Sequence, residues 1–420
     1  MSGPSAQVDR REAALPGATR TEQTPVSRPR LAGVDATRGV ALLGMMAVHA
    51  LFVSDASGRP TWIFSVSAGR SAAVFAVLAG LSIAFLTGRR RVALGRPARE
   101  AAASLAARSL VIGAVGLLLG HTDPEIATVI LPYYAVLFLI AVPLVLLPTP
   151  ALVVLGAAVT AGVPFLSHVL RTSLPVHAAH NHSFVDLVTA PLDLLVELTV
   201  TGEYPALPWT AYVCVGIAIG RLRLSSPKVA AALLVVGAAV AYGGVALSAW
   251  LLGPMGGLAQ IEAAGTADVN VPTAEILDFG ADGVTPTTTM WWLAVEAPHT
   301  GTPVDLLHTT GTAVALLGAL LLVGHVTVPV LARMIAVVQA PLAAAGSMTL
   351  TLYAAHVIFM NSPLDVFDAV PGYVLQVVSV LLFALAWRQA VGRGPLESAA
   401  NWAAGRARQA VSGAPAEVNA

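Results

Sequence analysis

Long apolar stretches separated by short polar segments run through almost the whole chain. Ten of them come close to the roughly 20 residues that a helix needs to cross the hydrocarbon core of a bilayer. The pattern predicts an all-α, polytopic membrane helix bundle of about ten transmembrane helices. The predicted spans are 38–54, 64–87, 103–120, 129–148, 150–170, 207–222, 229–252, 309–330, 342–361 and 371–390.

The composition supports a membrane protein. Hydrophobic residues make up 56% of the chain and charged residues only 11%, whereas an ordinary soluble domain carries roughly 25% charged residues. The formal net charge is zero, which argues against a nucleic-acid partner. Cys214 is the only cysteine, which excludes an intrachain disulfide and a metal site built from cysteines.

Arginine and lysine predict the orientation, because cytoplasmic segments of membrane proteins carry an excess of both. With the N-terminus inside, the inner segments hold eighteen of these residues and the outer segments hold two. We therefore expect a multi-pass protein of the cell membrane with both termini in the cytoplasm. Residues 1–30 are expected to be a disordered cytoplasmic tail and 31–390 the transmembrane domain. Residues 391–420 are expected to be a second cytoplasmic tail, with a short interfacial helix around 397–410.

Two segments between spans are too long for simple turns. In the first long loop, 171–206, Asp186, Asp193 and Glu197 interrupt an apolar stripe, which suits a helix in the interface or a lid over a pocket. The second long loop, 253–308, carries seven carboxylates and no lysine or arginine. It could attract a cationic acceptor or simply be a solvated loop.

Ionisable residues interrupt the first span, where aliphatic side chains would be easier to bury. Arg38 and His49 are eleven residues apart, so their side chains lie about 20° apart around a helix axis and roughly 16 Å apart along it. Asp35 precedes Arg38 by three residues and can pair with it. A guanidinium matches phosphate, and an imidazole can take a proton from a hydroxyl or an amine. This face suits an elongated acyl-coenzyme A, although Arg38 could also mark the membrane boundary and His49 could hydrogen-bond to another helix.

Several short motifs resemble one superfamily of membrane enzymes. RLAGVDATRGVALLGMMAVH resembles the opening signature of transmembrane acyltransferases, whose bacterial branch O-acylates surface polysaccharides and carries arginine, ten residues, then histidine in the first span. Arg38 and His49 match that spacing. Four other motifs are more similar to heparan-α-glucosaminide N-acetyltransferase and its bacterial relatives: GRSAAVFAVLAGLSIAFLTGR, EYPALPWTAYVCVGIAIGR, APHTGTPVDLLHTTG and GSMTLTLYAAH.

The resemblance implies a helix bundle that takes an acyl group from cytoplasmic acyl-CoA and delivers it to a hydroxyl or amine on the outer side, commonly of a sugar. It implies His49 as the catalytic base and Arg38, held by Asp35, as the contact to the donor phosphates. The glucosaminide branch places its catalytic histidine in the loop after the first span, where this chain has SDASGRPTWIF. Asp55 is the only acid–base candidate in that loop, and it could orient an imidazole or be an exposed loop charge.

Two further arginines are candidate contacts to the donor. Arg70 opens the second span and could polarise a thioester or bind an anion. Arg108 in the third span could face the donor phosphates. Both could instead be anchors near the membrane interface.

Candidate acceptor contacts lie near the ninth span. Thr349, Tyr353 and His356 fall on one helical stripe, which could bind the pantetheine arm or the acceptor, or hydrogen-bond to neighbouring helices. His299, in the second long loop, is a further candidate contact to the acceptor.

Three histidines of the first long loop, His177, His180 and His182, form an H-x-x-H-x-H motif. A zinc site needs three or four converging ligands, and the sequence shows no companion carboxylate close by. We therefore expect no metal.

Together these observations predict an acyl-CoA-dependent membrane O- or N-acyltransferase, with acetyl-CoA the expected donor. Transfer could be direct or pass through an acyl-histidine. The expected partners are membrane lipid and a small-molecule or glycan acceptor, and a homodimer is left open. The rival hypotheses are a transporter or flippase of an acylated or anionic metabolite, and a membrane scaffold without enzymatic activity.

Overall fold

The computed structural model describes residues 32–174, 180–269 and 271–413. Within them the regular structure is helical, apart from an isolated bridge between Ser54 and Pro60. The α-helices are α1 Ala32–Ala50, α2 Trp62–Ser67, α3 Arg70–Leu86, α4 Arg96–Leu119, α5 Leu131–Leu144, α6 Thr149–Arg171, α7 Phe184–Thr189, α8 Pro191–Val196, α9 Ala206–Gly220, α10 Pro227–Leu252, α11 Gly257–Ala264, α12 Thr273–Phe279, α13 Pro303–Val323, α14 Pro329–Gly346, α15 Thr349–Met360, α16 Ala369–Ala390 and α17 Pro395–Ser412. A π-helical turn, Glu197–Thr201, follows α8, and a 3-10 helix, Met290–Ala294, precedes α13.

The membrane bundle predicted from the apolar stretches is confirmed. Seven helical segments of the described residues are long and apolar enough to cross a membrane, and α2 with α3 count as one of them. The other six are α4, α6, α10, α13, α14 and α16. The shorter helices α5, α9 and α15 are also apolar.

One predicted span, 342–361, does not match a single helix of the structure. The chain breaks at Ser347 and Met348, between α14 and α15. At the end of α14, Gly346 lies so close to α1 that an added Cβ would be 1.7 Å from the carbonyl oxygen of Asp35. The predicted end of the preceding span, residue 330, also falls beyond the observed end of α13 at Val323.

The first turn of α15 is capped from a distant part of the chain. The Glu397 carboxylate, on α17, accepts hydrogen bonds from the backbone N–H groups of Leu350 (2.7 Å) and Thr351 (3.2 Å) and from the Thr351 hydroxyl (2.6 Å). These N–H groups have no partner within their own helix, so the carboxylate satisfies them. A helix is thus present where the sequence predicted one around 397–410.

Both long loops contain short helices. The first holds α7, α8 and the π-helical turn, and the second holds α11, α12 and the 3-10 helix. A small apolar cluster around the fully buried Trp292 packs the second loop together. The loops are therefore folded structures that can present side chains in defined positions.

Candidate active site

A cavity of about 870 Å³ lies beside the end of α1 that carries His49. Helical residues such as His49, Ser71 and Tyr133 form part of its wall. The first long loop adds His180, His182 and residues 201–204, and the second adds residues 279–282 and His299. Both loops therefore contribute to the cavity wall, and a lid role of the first loop stays a prediction.

The cavity wall is rich in carboxylates. Of the described residues that line it, Arg171 is the only arginine or lysine, and six residues are acidic: Glu125, Glu197, Glu203, Asp268, Glu275 and Asp282. A wall of this charge attracts cations and amines more than anions. The acidic second loop therefore does contribute to a concave site.

His49 and His356 form a pair of stacked imidazoles at the edge of the cavity. The distance from His49 Nδ1 to His356 Nε2 is 3.1 Å, and the ring planes are 7° apart. On its other side, His356 Nδ1 is 2.7 Å from Oε1 of Gln376, a residue of α16. His356 and Gln376 are both buried.

The hydrogen bonds that link Gln376, His356 and His49 determine which imidazole nitrogens carry protons. An amide oxygen only accepts, so His356 Nδ1 carries the proton that binds Gln376. His356 Nε2 then has the lone pair and accepts from His49 Nδ1–H. His49 Nε2 is left with a lone pair, which is the state that a general base requires.

A second pair of ionisable side chains, His299 and Glu203, lies in the same cavity wall. His299 Nδ1 is 3.7 Å from Glu203 Oε1, and the His299 ring packs edge-on against Tyr204 with centroids 5.2 Å apart. Burial raises the pKa of Glu203, while the neighbouring His299 opposes that rise. The two side chains therefore place an imidazole and a carboxyl group side by side in the cavity wall.

The backbone around His299 is held in an uncommon conformation. His299 itself has a φ of 56°, which is rare for a residue with a side chain. Its carbonyl oxygen accepts a hydrogen bond of 2.9 Å from the N–H of Gly283, whose φ is 78°. A Cβ on Gly283 would lie 2.3 Å from the Cα of Glu203. Glycine is thus required where the two loops meet.

A comparison with family models gives the relationship of the chain. The model described as heparan-alpha-glucosaminide N-acetyltransferase, catalytic, matches residues 30–252, which is more than half of the 420 residues. The chain belongs to this family. In general terms it is therefore a membrane acetyltransferase. No curated protein matches the chain.

The family match covers His49, the histidines of the first long loop and Glu203. His299, His356 and Gln376 lie beyond residue 252, so the family model does not cover them. His299 and His356 stand in motifs that resemble the family, whereas the place of Gln376 in the site rests on the structure. The two parts of the chain meet at the His49–His356 contact.

The ion pair predicted for the start of α1 is confirmed. Arg38 donates from Nη1 to Asp35 Oδ1 at 2.6 Å and from Nη2 to the hydroxyl of Ser82 on α3, also at 2.6 Å. The side chains of Arg38 and Asp35 are 19% and 12% exposed. The guanidinium is therefore held inside the bundle, and its role in donor binding stays a prediction.

The cavity around His49 does not extend to Arg38. Arg38, Leu42, Met45 and His49 follow one another on a single helical stripe. Met45 lines the cavity, whereas Leu42 is completely buried between it and Arg38. A molecule that contacts both Arg38 and His49 therefore requires the packing around Leu42 to open.

Arg70 lies in a compact polar network. It donates to His308 Nε2 at 3.0 Å, to Glu296 Oε1 at 3.2 Å and to the carbonyl oxygen of Ala68 at 3.2 Å. It is absent from the described residues that line the cavity. These contacts indicate a structural ion pair between α3 and the second long loop.

Asp55 and Arg108 also lie outside the cavity wall as described. The Asp55 carboxylate accepts hydrogen bonds from Ser57 and from the backbone N–H of Arg59, which lowers its pKa. Its contacts are those of a loop charge, although its catalytic role stays a prediction. Arg108 donates to Asn401, so it lies against α17.

The predicted stripe of α15 reaches the site through one member. His356 contacts His49, whereas the Tyr353 hydroxyl accepts from the backbone N–H of Ile130 at 3.2 Å. Thr349 is the first residue of the helix, two turns away from His356. The three side chains therefore do not form one binding surface in the cavity wall.

Two carboxylates lie beside the histidines of the first long loop. Ligand atoms of His180, His182 and Asp186 all lie within 4.8 Å of one another. Glu197 Oε2 is 3.5 Å from His182 Nε2 and 4.0 Å from His180 Nε2. The expectation that no carboxylate accompanies these histidines is wrong, since the chain folds back between residues 186 and 197. His177, the third histidine of the motif, lies outside the described residues.

Gln376 and Glu203 belong to the site but were not predicted from the sequence. A signal existed for both: Gln376 is a polar residue inside an apolar span, and Glu203 opens a motif that resembles the family. Neither signal reveals its partner, because Gln376 and His356 come from different helices.

Proposed function

We propose that the protein transfers an acetyl group from acetyl-CoA to an amine or hydroxyl of an acceptor bound in the cavity. The observation that carries the proposal is the chain of hydrogen bonds from Gln376 through His356 to His49, in the wall of a cavity and in a member of this family. We further propose that the donor comes from the cytoplasm and that the acceptor is extracytoplasmic.

In the proposed reaction, His49 Nε2 takes the proton from the acceptor N–H or O–H as the nucleophile attacks the thioester carbonyl. The new C–N or C–O bond forms as the C–S bond breaks. The His49 imidazolium then returns the proton to the departing thiolate, so His49 ends the cycle neutral. His356 holds His49 in the required tautomer throughout, which favours direct transfer over an acyl-histidine.

The donor is proposed to approach from the Arg38 end of α1. A guanidinium binds phosphate with two parallel N–H donors, and the Asp35 and Ser82 contacts hold Arg38 in place. Access of the thioester to His49 is proposed to follow displacement of the packing around Leu42.

The acceptor is proposed to carry an amine, and an amino sugar is the expected class. The six carboxylates of the wall favour an amine over an anionic group, and Tyr133 and Tyr204 offer aromatic surface and hydroxyl groups. An amine that arrives as an ammonium ion releases one proton to solvent before the neutral amine attacks. The family description names a glucosaminide, which is an amino sugar.

The test is coenzyme A thiol release from acetyl-CoA by detergent-solubilised protein, with and without glucosamine. Wild type should release thiol only with the acceptor, and His49→Ala should reduce the rate by at least a hundred-fold. His325→Ala, which changes an exposed histidine that is absent from the described cavity lining, should retain the wild-type rate. Equal rates in wild type and His49→Ala would remove His49 from the mechanism, and substrate flux without thiol release would favour a transporter.

A further inference from the structure

The first long loop brings four metal-ligating side chains together, and three of them, His180, His182 and Glu197, line the cavity. His180 and His182 have ring centroids 4.7 Å apart, and both lie within ion-pair distance of Glu197. Asp186 completes the group, with its ligand atom within 4.8 Å of those of both histidines. Two imidazoles and two carboxylates are the donor types that Zn²⁺ and similar ions bind in proteins.

The backbone that carries the histidines is firmly held. Asn181, between them, is buried, and its side chain bonds the backbone at Val129 (2.7 Å), Ala127 (2.9 Å) and Thr122 (3.1 Å). The carbonyl oxygen of His182 packs against Gly120, where an added Cβ would lie 2.0 Å away. The two histidines are therefore presented on a rigid segment.

The carboxylates are also oriented. Asp186 Oδ2 accepts from the backbone N–H and the hydroxyl of Ser183 at 2.7 and 2.9 Å, in a capping box at the start of α7. Because both bonds use Oδ2, the Oδ1 atom is available for a metal. Glu197 opens the π-helical turn, a distortion that is frequent at functional sites, and its side chain is 11% exposed.

From this geometry we propose that His180, His182, Asp186 and Glu197 bind a divalent transition-metal ion, with Zn²⁺ the expected one. Four ligands at about 2.1 Å from Zn²⁺ lie about 3.4 Å from one another. The separations among His180, His182 and Asp186, which are within 4.8 Å, require a contraction on the order of 1 Å, which side-chain rotation supplies. Glu197 completes the set from the side of the two histidines, at 4.0 and 3.5 Å from them. The ion joins the start of the loop to the π-helical turn, and it lies in the wall that also carries His49 and Glu203.

Metal binding is measured on the full-length protein, purified in detergent through a tag without histidine and treated with EDTA. Calorimetric titration with Zn²⁺ should give one equivalent per chain for wild type. His180→Ala and Asp186→Asn should each weaken binding at least ten-fold. His180 is 42% exposed, and Asn can still accept the Ser183 cap, so both variants should fold.

The exposed His325→Ala is the matched control and should bind Zn²⁺ like wild type. Titration with Co²⁺ should give visible absorption bands of a low-symmetry site in wild type only, and Zn²⁺ should raise the unfolding temperature of wild type but not of Asp186→Asn. No binding by wild type, or equal binding by wild type and the two cluster variants, would overturn the proposal in favour of simple imidazole–carboxylate pairs. No acyl donor is present in these measurements, so their outcome is independent of the proposed transferase activity.

Discussion

His49 and His356 are 307 residues apart in the sequence, yet their nitrogen atoms lie 3.1 Å apart and their rings stack. The contact joins the helix that opens the family match to a helix beyond its end. It gives His49 a fixed tautomer only because Gln376 fixes His356 in turn. The catalytic proposal can therefore be tested at a residue that need not touch any substrate.

Replacing Gln376 by Leu should remove the acceptor that orients His356. Activity losses of about ten- to hundred-fold are usual when a group that orients a functional histidine is removed. We expect a loss of this size in kcat with little change in the KM for acetyl-CoA, measured by thiol release. Gln339→Leu is the matched control, since Gln339 bonds the carbonyl oxygen of Leu320 away from the cavity. A similar loss in both variants would argue against the tautomer role.

Replacing Arg38 by Ala should weaken donor binding more than the chemical step. If Arg38 contacts the donor phosphates, the KM for acetyl-CoA should rise at least ten-fold, equivalent to about 1.4 kcal/mol, while kcat changes less. Steady-state kinetics at saturating acceptor measures both constants. Arg59→Ala, at an exposed loop position, should leave them unchanged. An unaltered KM in Arg38→Ala would contradict the phosphate-anchor role.

Glu203 should make the stability of the protein depend on pH. Burial raises its pKa above the ordinary value of 4.5, and the nearby His299 opposes this effect. The folded carboxyl therefore binds its proton more tightly than the unfolded one. Its stabilising contribution is fully present below the unfolded pKa and is lost as pH rises through the folded pKa.

This dependence is measured by thermal unfolding of wild type and Glu203→Gln in detergent between about pH 4.5 and pH 8. The glutamine cannot ionise, so the variant lacks the pH dependence that Glu203 causes. The unfolding temperature of Glu203→Gln relative to wild type should increase with pH. The exposed Glu125→Gln should show a constant difference. A constant difference for Glu203→Gln as well would show that its carboxyl titrates normally.

Gly283 should be far less tolerant of a side chain than Gly58. Both have nearly the same left-handed backbone, with φ of 78° and 76°. That conformation alone disfavours Ala by about 1–2 kcal/mol. A Cβ on Gly58 meets no atom within 4 Å, whereas on Gly283 it collides with Glu203. Thermal unfolding of the two Ala variants should therefore show a clearly lower unfolding temperature for Gly283→Ala, and equal shifts would contradict the close packing of the two loops.

Hydropathy predicted most of the bundle because lipid imposes a minimum length of apolar helix. The predicted spans 150–170, 229–252 and 371–390 begin and end within two residues of α6, α10 and α16. Hydropathy did not reveal the break between α14 and α15, because the residues on both sides of it are apolar.

The candidate site was predicted only in part, because the sequence shows local spacing but not the packing of distant segments. The pairing of Asp35 with Arg38 follows from helical spacing, a local property. The approach of His356 to His49, and of Glu197 to the loop histidines, depends on how segments that are apart in the sequence pack, whereas Asp186 is only four residues from His182. Spacing in the sequence carries no information on the first two contacts.

The cap that Glu397 places on α15 has a consequence for biosynthesis. The ribosome makes Glu397 only after every segment that lines the cavity and after Gln376. While the bundle is being inserted, the first turn of the helix that bears His356 therefore has exposed N–H groups and no anchor at that end. A nascent chain that stalls before residue 397 would therefore lack the cap on the helix that carries His356.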